Sequence, residues 1–205
     1  MEELDEVILS KERKFDGVVI DVEHWKVRLP DGSEGLREIV LHKGAAAVIP
    51  VDEQGRVAKV RQYRTPLERE TLEIPAGKLD SPAEDPFAAA RRELEEETGL
   101  NAEHWQFLTC IDTTPGFCTE KISIYLATGL SQHPAHTDPD EFLRLTKMPL
   151  SEAAALCMAG ELRDSKTVVG LLMAQQLLQR DAQLPLHASA SIQRGSTVVS
   201  SQGKE

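Results

Sequence analysis

The sequence predicts an α/β fold with an antiparallel β region at its N-terminus. Three observations lead there: β-rich runs joined by turn signals between residues 15 and 64, a switch to helical spacing from Pro86 to Thr98, and an amphipathic stretch late in the chain. Taken in order, VVIDV (18–22), KVRL (26–29) and REIVL (37–41) are expected as strands, with PDGS closing a hairpin between the last two. AAAVIPV (45–51) and RVAKVRQYR (56–64) flank the turn DEQG as a second pair, and LEIPAG (72–77) is expected as a short strand running into a glycine. The helix from Pro86 to Thr98 rests on Phe87, Ala90 and Leu94 at i, i+3 and i+7. Asp85 suits its N-cap, Pro86 the first helical position and Gly99 the stop. Strands are then expected at 105–111 and 121–128, followed by the polar loop SQHPAHTDPDE and helices at 151–160 and 165–180. The last of these carries Val168, Leu171, Leu172 and Leu178 on one face.

At 205 residues and 40% hydrophobic content, the chain is long enough to bury one sizeable core. Its formal charge of −11 argues against nucleic acid as a partner, because an acidic surface repels the phosphate backbone. A phosphorylated small molecule stays within reach if a divalent cation or a few placed arginines receive it. The N-terminal MEELDEVILS lacks the basic and apolar parts of a signal peptide, and no run reaches the roughly eighteen apolar residues of a membrane span. Cys110, Cys118 and Cys157 show no CxxC or metal-ligand spacing, and neither do His24, His42, His104, His133 and His136. The cysteines read as reduced thiols in a cytoplasmic protein. After residue 182 the serine-rich composition is that of a disordered tail.

The helix at 86–98 poses the functional question, because Glu93, Glu95, Glu96 and Glu97 follow two arginines. At about 100° per residue, Glu93 and Glu97 lie about 40° apart on one face, with Glu96 further round. A solvated acidic face partly neutralised by Arg91 and Arg92 is one reading. The glutamates adjoin the apolar stripe, however, which places them at the rim of the core near a glycine-containing loop. Hard oxygen ligands in such a place suit Mg²⁺ or Mn²⁺, which bind a few carboxylates and leave positions open for substrate phosphates.

These residues resemble a known family. ARRELEEETGL is similar to the core of the Nudix box, G-x5-E-x7-R-E-U-x-E-E-x-G-U with U aliphatic, and Glu84, Arg92, Glu93, Leu94, Glu96, Glu97, Gly99 and Leu100 each fall on a matching position. One position departs: Lys78 stands where the family has glycine, and Gly77 lies one residue earlier. A one-residue expansion of the loop KLDSPAE accounts for it, since loops absorb single insertions cheaply. The resemblance implies an α/β/α sandwich with a mixed sheet. It divides the chain into an N-terminal β region at 1–44 for dimerisation, a hydrolase domain at 45–182 and the tail at 183–205.

The flanks look like the ADP-ribose pyrophosphatase branch, in VRQYR, PLERETLEIPAGKL, TPGFCTEKISIYLA and DPDEF, with Pro115 lying 15 residues beyond the box. That branch implies a homodimer that hydrolyses ADP-ribose to AMP and ribose 5-phosphate with Mg²⁺, for which Mn²⁺ is a substitute. It implies Ala76 (through its carbonyl), Glu93, Glu96 and Glu97 as metal ligands. Arg92 would orient a carboxylate, and Glu141, with Asp140 as the fallback, would be the base. Arg37, Arg64, Pro115 and Gly116 match substrate-binding positions, while Phe15 and Trp25 stand where an aromatic would stack on adenine or pack an interface. Another nucleoside diphosphate sugar, such as ADP-glucose or GDP-mannose, is the alternative substrate. A non-catalytic ADP-ribose sensor is the rival from a different class.

Overall fold

The computed structural model describes residues 4–133 and 142–183. Three strands, β1 (Val7–Asp16), β2 (Asp21–Arg28) and β3 (Glu34–Leu41), form an antiparallel sheet of their own. β4 (Ala45–Pro50), β7 (Ala76–Lys78), β8 (Leu100–Asp112) and β9 (Lys121–Gln132) form a mixed sheet in the order β7-β4-β9-β8, in which only β4 and β9 run parallel. β5 (Arg56–Arg64), β6 (Arg69–Glu73) and β10 (Arg144–Pro149) make a third, antiparallel sheet. Three α-helices, α1 (Pro86–Thr98), α2 (Leu150–Met158) and α3 (Ser165–Gln183), and one turn of 3-10 helix at Thr65–Leu67 complete the described residues.

β4 explains the layering. AAAVIP is buried at every position, because each face of the strand meets a different helix layer. Ala45, Ala47 and Ile49 pack with Ile122, Ile124 and Leu126 of β9 against Leu171 and Ala174 of α3 and Ala153 of α2. Ala46 and Val48 face the other way, with Tyr125 and Ala127, onto Ala89, Ala90 and Leu94 of α1. The expected α/β/α sandwich is therefore present. On the α3 side the approach is close: a Cβ at Gly170 would lie 2.6 Å from Cδ1 of Ile49, so the helix reaches the sheet there only because the residue is glycine.

α1 has the expected bounds and caps. Asp85 accepts the Phe87 N–H at 3.1 Å, and Gly99 ends the helix at a φ of 68°. Phe87 packs edge-on against Trp105, with ring centroids 5.4 Å apart.

Two β expectations are corrected. VVIDV is not a strand throughout: Val18 to Ile20 form a turn, closed by the Gly17 N–H on the Ile20 carbonyl at 3.1 Å, and the pairing strand is the earlier VILSKERKFD. Every residue of β1 is exposed, so no one-sided apolar alternation marks it in the sequence. LEIPAG is two strands in two sheets. Pro75 between them has no N–H to give a ladder, and the chain changes partner there from β5 to β4. β10 adds a strand to the expected elements, and β8 and β9 are longer than expected.

The N-terminal sheet is tied to the rest through Val40, whose N–H donates to the Phe117 carbonyl at 2.7 Å and whose carbonyl accepts from Thr119 at 2.9 Å. The three cysteines are free. No helix among the described residues is long and apolar enough to cross a membrane.

Candidate active site

α1 and β7 together build the site. The two acidic side chains one turn apart are nearly removed from solvent, with Glu93 8% and Glu97 6% exposed. Such burial of like charges is costly unless each is held. Glu97 Oε2 accepts the Ala76 N–H at 3.0 Å. Glu93 Oε1 accepts from Arg92 Nη1 at 2.7 Å, and the same nitrogen reaches Glu96 Oε2 at 3.0 Å. Arg92 Nη2 donates to the Lys78 carbonyl at 3.2 Å and lies 3.5 Å from Glu84. Burial opposes the guanidinium charge, but Glu93 and Glu96 more than offset it and raise the Arg92 pKa above its usual value. Arg92 is thus the clamp that joins the helix to the loop after β7.

The loop itself shows which glycine matters. A Cβ at Gly77 would lie 2.0 Å from the carboxylate of Glu93, so that carboxylate rests directly on the glycine backbone. Lys78 occupies the family glycine position and presents its carbonyl to Arg92. Glu84 turns inward, where its Oε2 accepts the Asp80 N–H at 2.5 Å, and the expanded loop is closed by its own carboxylate.

Ala76, Gly77, Arg92, Glu93, Glu96 and Glu97 line one cavity of about 690 Å³, together with Arg64, Lys166, His42 and Glu120. Among the described residues, no three His, Cys, Asp or Glu side chains are gathered into a ready-made cage for a cation. The donor set still suits a hard divalent ion. Glu93, Glu96 and Glu97 offer it carboxylate oxygens beside the β7 backbone, with no sulfur in the lining; the one imidazole among the described lining residues, His42, lies 3.5 Å from Glu120. Glu93, Glu96, Glu97 and the Ala76 carbonyl are the residues that would hold it.

Arg64 is brought to the same cavity but is already engaged. Its Nε and Nη2 donate to the two oxygens of Glu73 at 2.8 and 2.7 Å. Glu73 is 2% exposed and also accepts from Thr71 Oγ1 at 2.6 Å and Lys166 Nζ at 2.5 Å. Burial by itself would raise its pKa; Arg64, Lys166 and Thr71 instead bring it down to about 2. A second cavity of about 700 Å³ lies beyond this group and shares only Arg64 with the first, while Glu73 lines the second alone.

Other expected residues sit elsewhere. Arg37 is paired with Glu6 in the N-terminal sheet, and Pro115 and Gly116 form the turn between β8 and β9; none of the three lines the carboxylate cavity. Phe15 is exposed, and Trp25 lies under Lys11 Nζ, 3.9 Å from the ring centroid; neither lines the cavity. Glu141 and Asp140 lie outside the described residues.

Sequence reasoning missed Glu73, Lys166, His42 and Glu120. Glu120 lines the cavity and also accepts from Thr113 Oγ1 at 2.9 Å, which anchors the turn carrying Pro115. His42 Nδ1 accepts the Gly44 N–H at 3.0 Å and lies 3.5 Å from Glu120 Oε1. Nothing local in the sequence distinguishes these residues from ordinary strand, loop and helix-start polar groups.

The chain is similar to known proteins along most of its length. The model of the NUDIX domain matches residues 41–168. The chain is 41% identical over 177 residues to an ADP-ribose pyrophosphatase of Bacillus subtilis (strain 168), covering 85% of this chain and 95% of the relative. It is 42% identical over 173 residues to a methanol dehydrogenase activator of Bacillus methanolicus, covering 83% and 93%. A crystal structure of an ADP compounds hydrolase superposes with a TM-score of 0.78 over 90% of this chain and 100% of the other, at 23% identity, and speaks to the fold alone. With more than half its length matched and its box residues converging on one cavity, the chain belongs to the Nudix family.

Proposed function

We propose that this Nudix hydrolase cleaves the diphosphate of ADP-ribose to AMP and ribose 5-phosphate with a divalent cation, Mg²⁺ by preference and Mn²⁺ as a substitute. The observation that carries this reading is the convergence on one cavity of two nearly solvent-free carboxylates, Glu93 and Glu97, with the cations Arg64 and Lys166. The likeness to the B. subtilis pyrophosphatase supports the substrate. When bound, the cation supplies charge neutralisation at the diphosphate and acidifies water near phosphorus. The chain's own part is positioning and electrostatics, which supply most of the rate in phosphoryl chemistry. Arg92 fixes Glu93 and Glu96, the Ala76 N–H fixes Glu97, and Arg64, held by Glu73, offers its remaining N–H groups to the diphosphate. Glu141, with Asp140 as the fallback, is assigned as the base that takes the proton from the attacking water.

The same site accommodates another nucleoside diphosphate sugar with few changes, so the sugar is the point to test. ADP-ribose, ADP-glucose and GDP-mannose should be compared with Mg²⁺ and with Mn²⁺, with products identified. ADP-ribose is expected to give AMP with the highest kcat/KM. A higher value for GDP-mannose would move the assignment to that sugar, and no metal-dependent release of AMP would overturn it in favour of sensing. A cytoplasmic homodimer is part of the proposal. Its support is the three free thiols and the apolar side chains that Val7, Ile8, Phe15 and Val18 leave uncovered in one chain. Light scattering reads the oligomeric state directly.

A further inference from the structure

Five cationic side chains line the carboxylate cavity: Lys43, Arg64, Lys78, Arg92 and Lys166. Two of them are committed to holding the protein together. Arg92 is spread over Glu93, Glu96 and the Lys78 carbonyl, and Lys43 Nζ donates to the Asp80 carbonyl at 3.1 Å. Arg64 and Lys166 come from distant parts of the chain, the end of β5 and the first turn of α3, and meet on one carboxylate. Glu73 takes Arg64 through both its oxygens and Lys166 at 2.5 Å.

The arrangement leaves specific donors over. Arg64 uses the N–H of Nε and one of Nη2 on Glu73, which leaves both N–H groups of Nη1 and the second of Nη2 for another acceptor. Lys166 uses two of its three N–H bonds, one on Glu73 and one on Asp164 Oδ1 at 3.0 Å. Asp164 is itself shared with the start of α3, where its Oδ2 accepts the Thr167 N–H at 3.0 Å and the Thr167 hydroxyl at 2.5 Å. Lys166 therefore sits at a helix N-terminus, where the backbone adds partial positive charge. A buried ion pair is weak evidence for stability, since apolar replacements often do as well. Its place here, with Glu73 on the second cavity and Arg64 and Lys166 on the carboxylate cavity, is that of a support which holds cations ready for an anion.

We infer that Lys166 is a second diphosphate-binding cation beside Arg64, and that Glu73 is the positioning residue that aims both. This rests on the reading of the cavity as a diphosphate hydrolase site and adds two residues to it. In a chain of net charge −11, an unaimed lysine or arginine would be drawn to the nearest glutamate, and the cavity holds several. Glu73 prevents that by fixing the two cations to one carboxylate outside the carboxylate set of α1.

The test is steady-state kinetics with ADP-ribose and Mg²⁺ on Lys166→Met, Glu73→Gln, Glu73→Asp and the double variant Glu73→Gln/Lys166→Met, with binding of a non-hydrolysable α,β-methylene analogue measured in parallel. Lys166→Met is expected to raise KM and the analogue Kd by about tenfold or more, with kcat within about threefold, as loss of a contact made equally in ground and transition states requires. Glu73→Gln is expected to raise both in the same direction through Arg64, and Glu73→Asp to recover part of the loss. Unchanged KM and analogue Kd in folded Lys166→Met overturn the inference while wild-type turnover of ADP-ribose leaves the assigned function standing. No wild-type turnover sinks that function, and analogue binding then decides the inference alone. If Glu73→Gln does not fold, the double variant, which removes both charges together, and Lys166→Met decide between the two outcomes.

Discussion

The carboxylate of Glu93 occupies the space that a side chain at Gly77 would need. A Cβ there would lie 2.0 Å from Cδ of Glu93, well inside any tolerable contact. Gly77→Ala is therefore expected to push that carboxylate off the β7 backbone and away from its bond with Arg92. A displacement of about 1 Å in a catalytic group costs on the order of 100-fold, so kcat should fall by about that much. Kinetics together with a thermal melt check it: an alanine variant with wild-type kcat would show that Glu93 does not act from this position.

Glu97→Gln separates charge from shape. The amide carbonyl keeps an acceptor for the Ala76 N–H, so the melting temperature should move little. The lost negative charge is expected to lower kcat by about 100-fold or more, the scale of removing one preorganised electrostatic group. Near-wild-type turnover at saturating Mg²⁺ would contradict the ligand assignment.

Arg92→Lys should fail despite keeping the charge. One guanidinium reaches Glu93, Glu96 and the Lys78 carbonyl at once, a planar arrangement that a single ammonium on a flexible stem does not reproduce. A fall in kcat of about 10- to 100-fold is expected, with a higher Mg²⁺ concentration needed for half-maximal rate. Titration of Mg²⁺ against initial rate is the measurement.

Lys59 predicts a pH dependence outside the active site. Its side chain is 0% exposed, and its Nζ has no hydrogen-bond partner among the described residues. Burial, ahead of any charge nearby, pushes its pKa down from 10.5 to about 8. A lysine with a lowered folded pKa penalises the folded state most below that value, because protonation is then favoured in the unfolded chain. The penalty is relieved as pH rises from about 8 toward 10.5. Lys59→Met is expected to be more stable than wild type at pH 7 by about 2–3 kcal/mol, and the gap should narrow by pH 10. Unfolding curves at the two pH values test it; a gap that does not change with pH would mean that the lysine is not the titrating group.

α1 is legible in the sequence because everything that defines it is local. Asp85, Pro86 and Gly99 mark its ends, and Phe87, Ala90 and Leu94 mark its buried face; the spacing of Glu93, Glu96 and Glu97 follows from the helical repeat. β1 is not legible, since a strand exposed along its whole length carries no periodic apolar signal. LEIPAG reads as one strand because Pro75 marks a break without saying that the chain also changes sheets.

The chemistry divides along the same line. Short-range spacing is enough to bring the carboxylates of α1 to one rim, and the resemblance to the Nudix box singles out Arg92 over Arg91 as their partner. Packing alone decides that Gly77, and not Lys78, lies against Glu93, because that depends on how closely β7 approaches the helix. Packing also brings Lys166 to Glu73 across 93 residues of sequence. No local pattern encodes that meeting; it follows from α3 seating on the sheet that presents Ile49 and from β6 ending beside it, which leaves two cations and one buried carboxylate to satisfy each other.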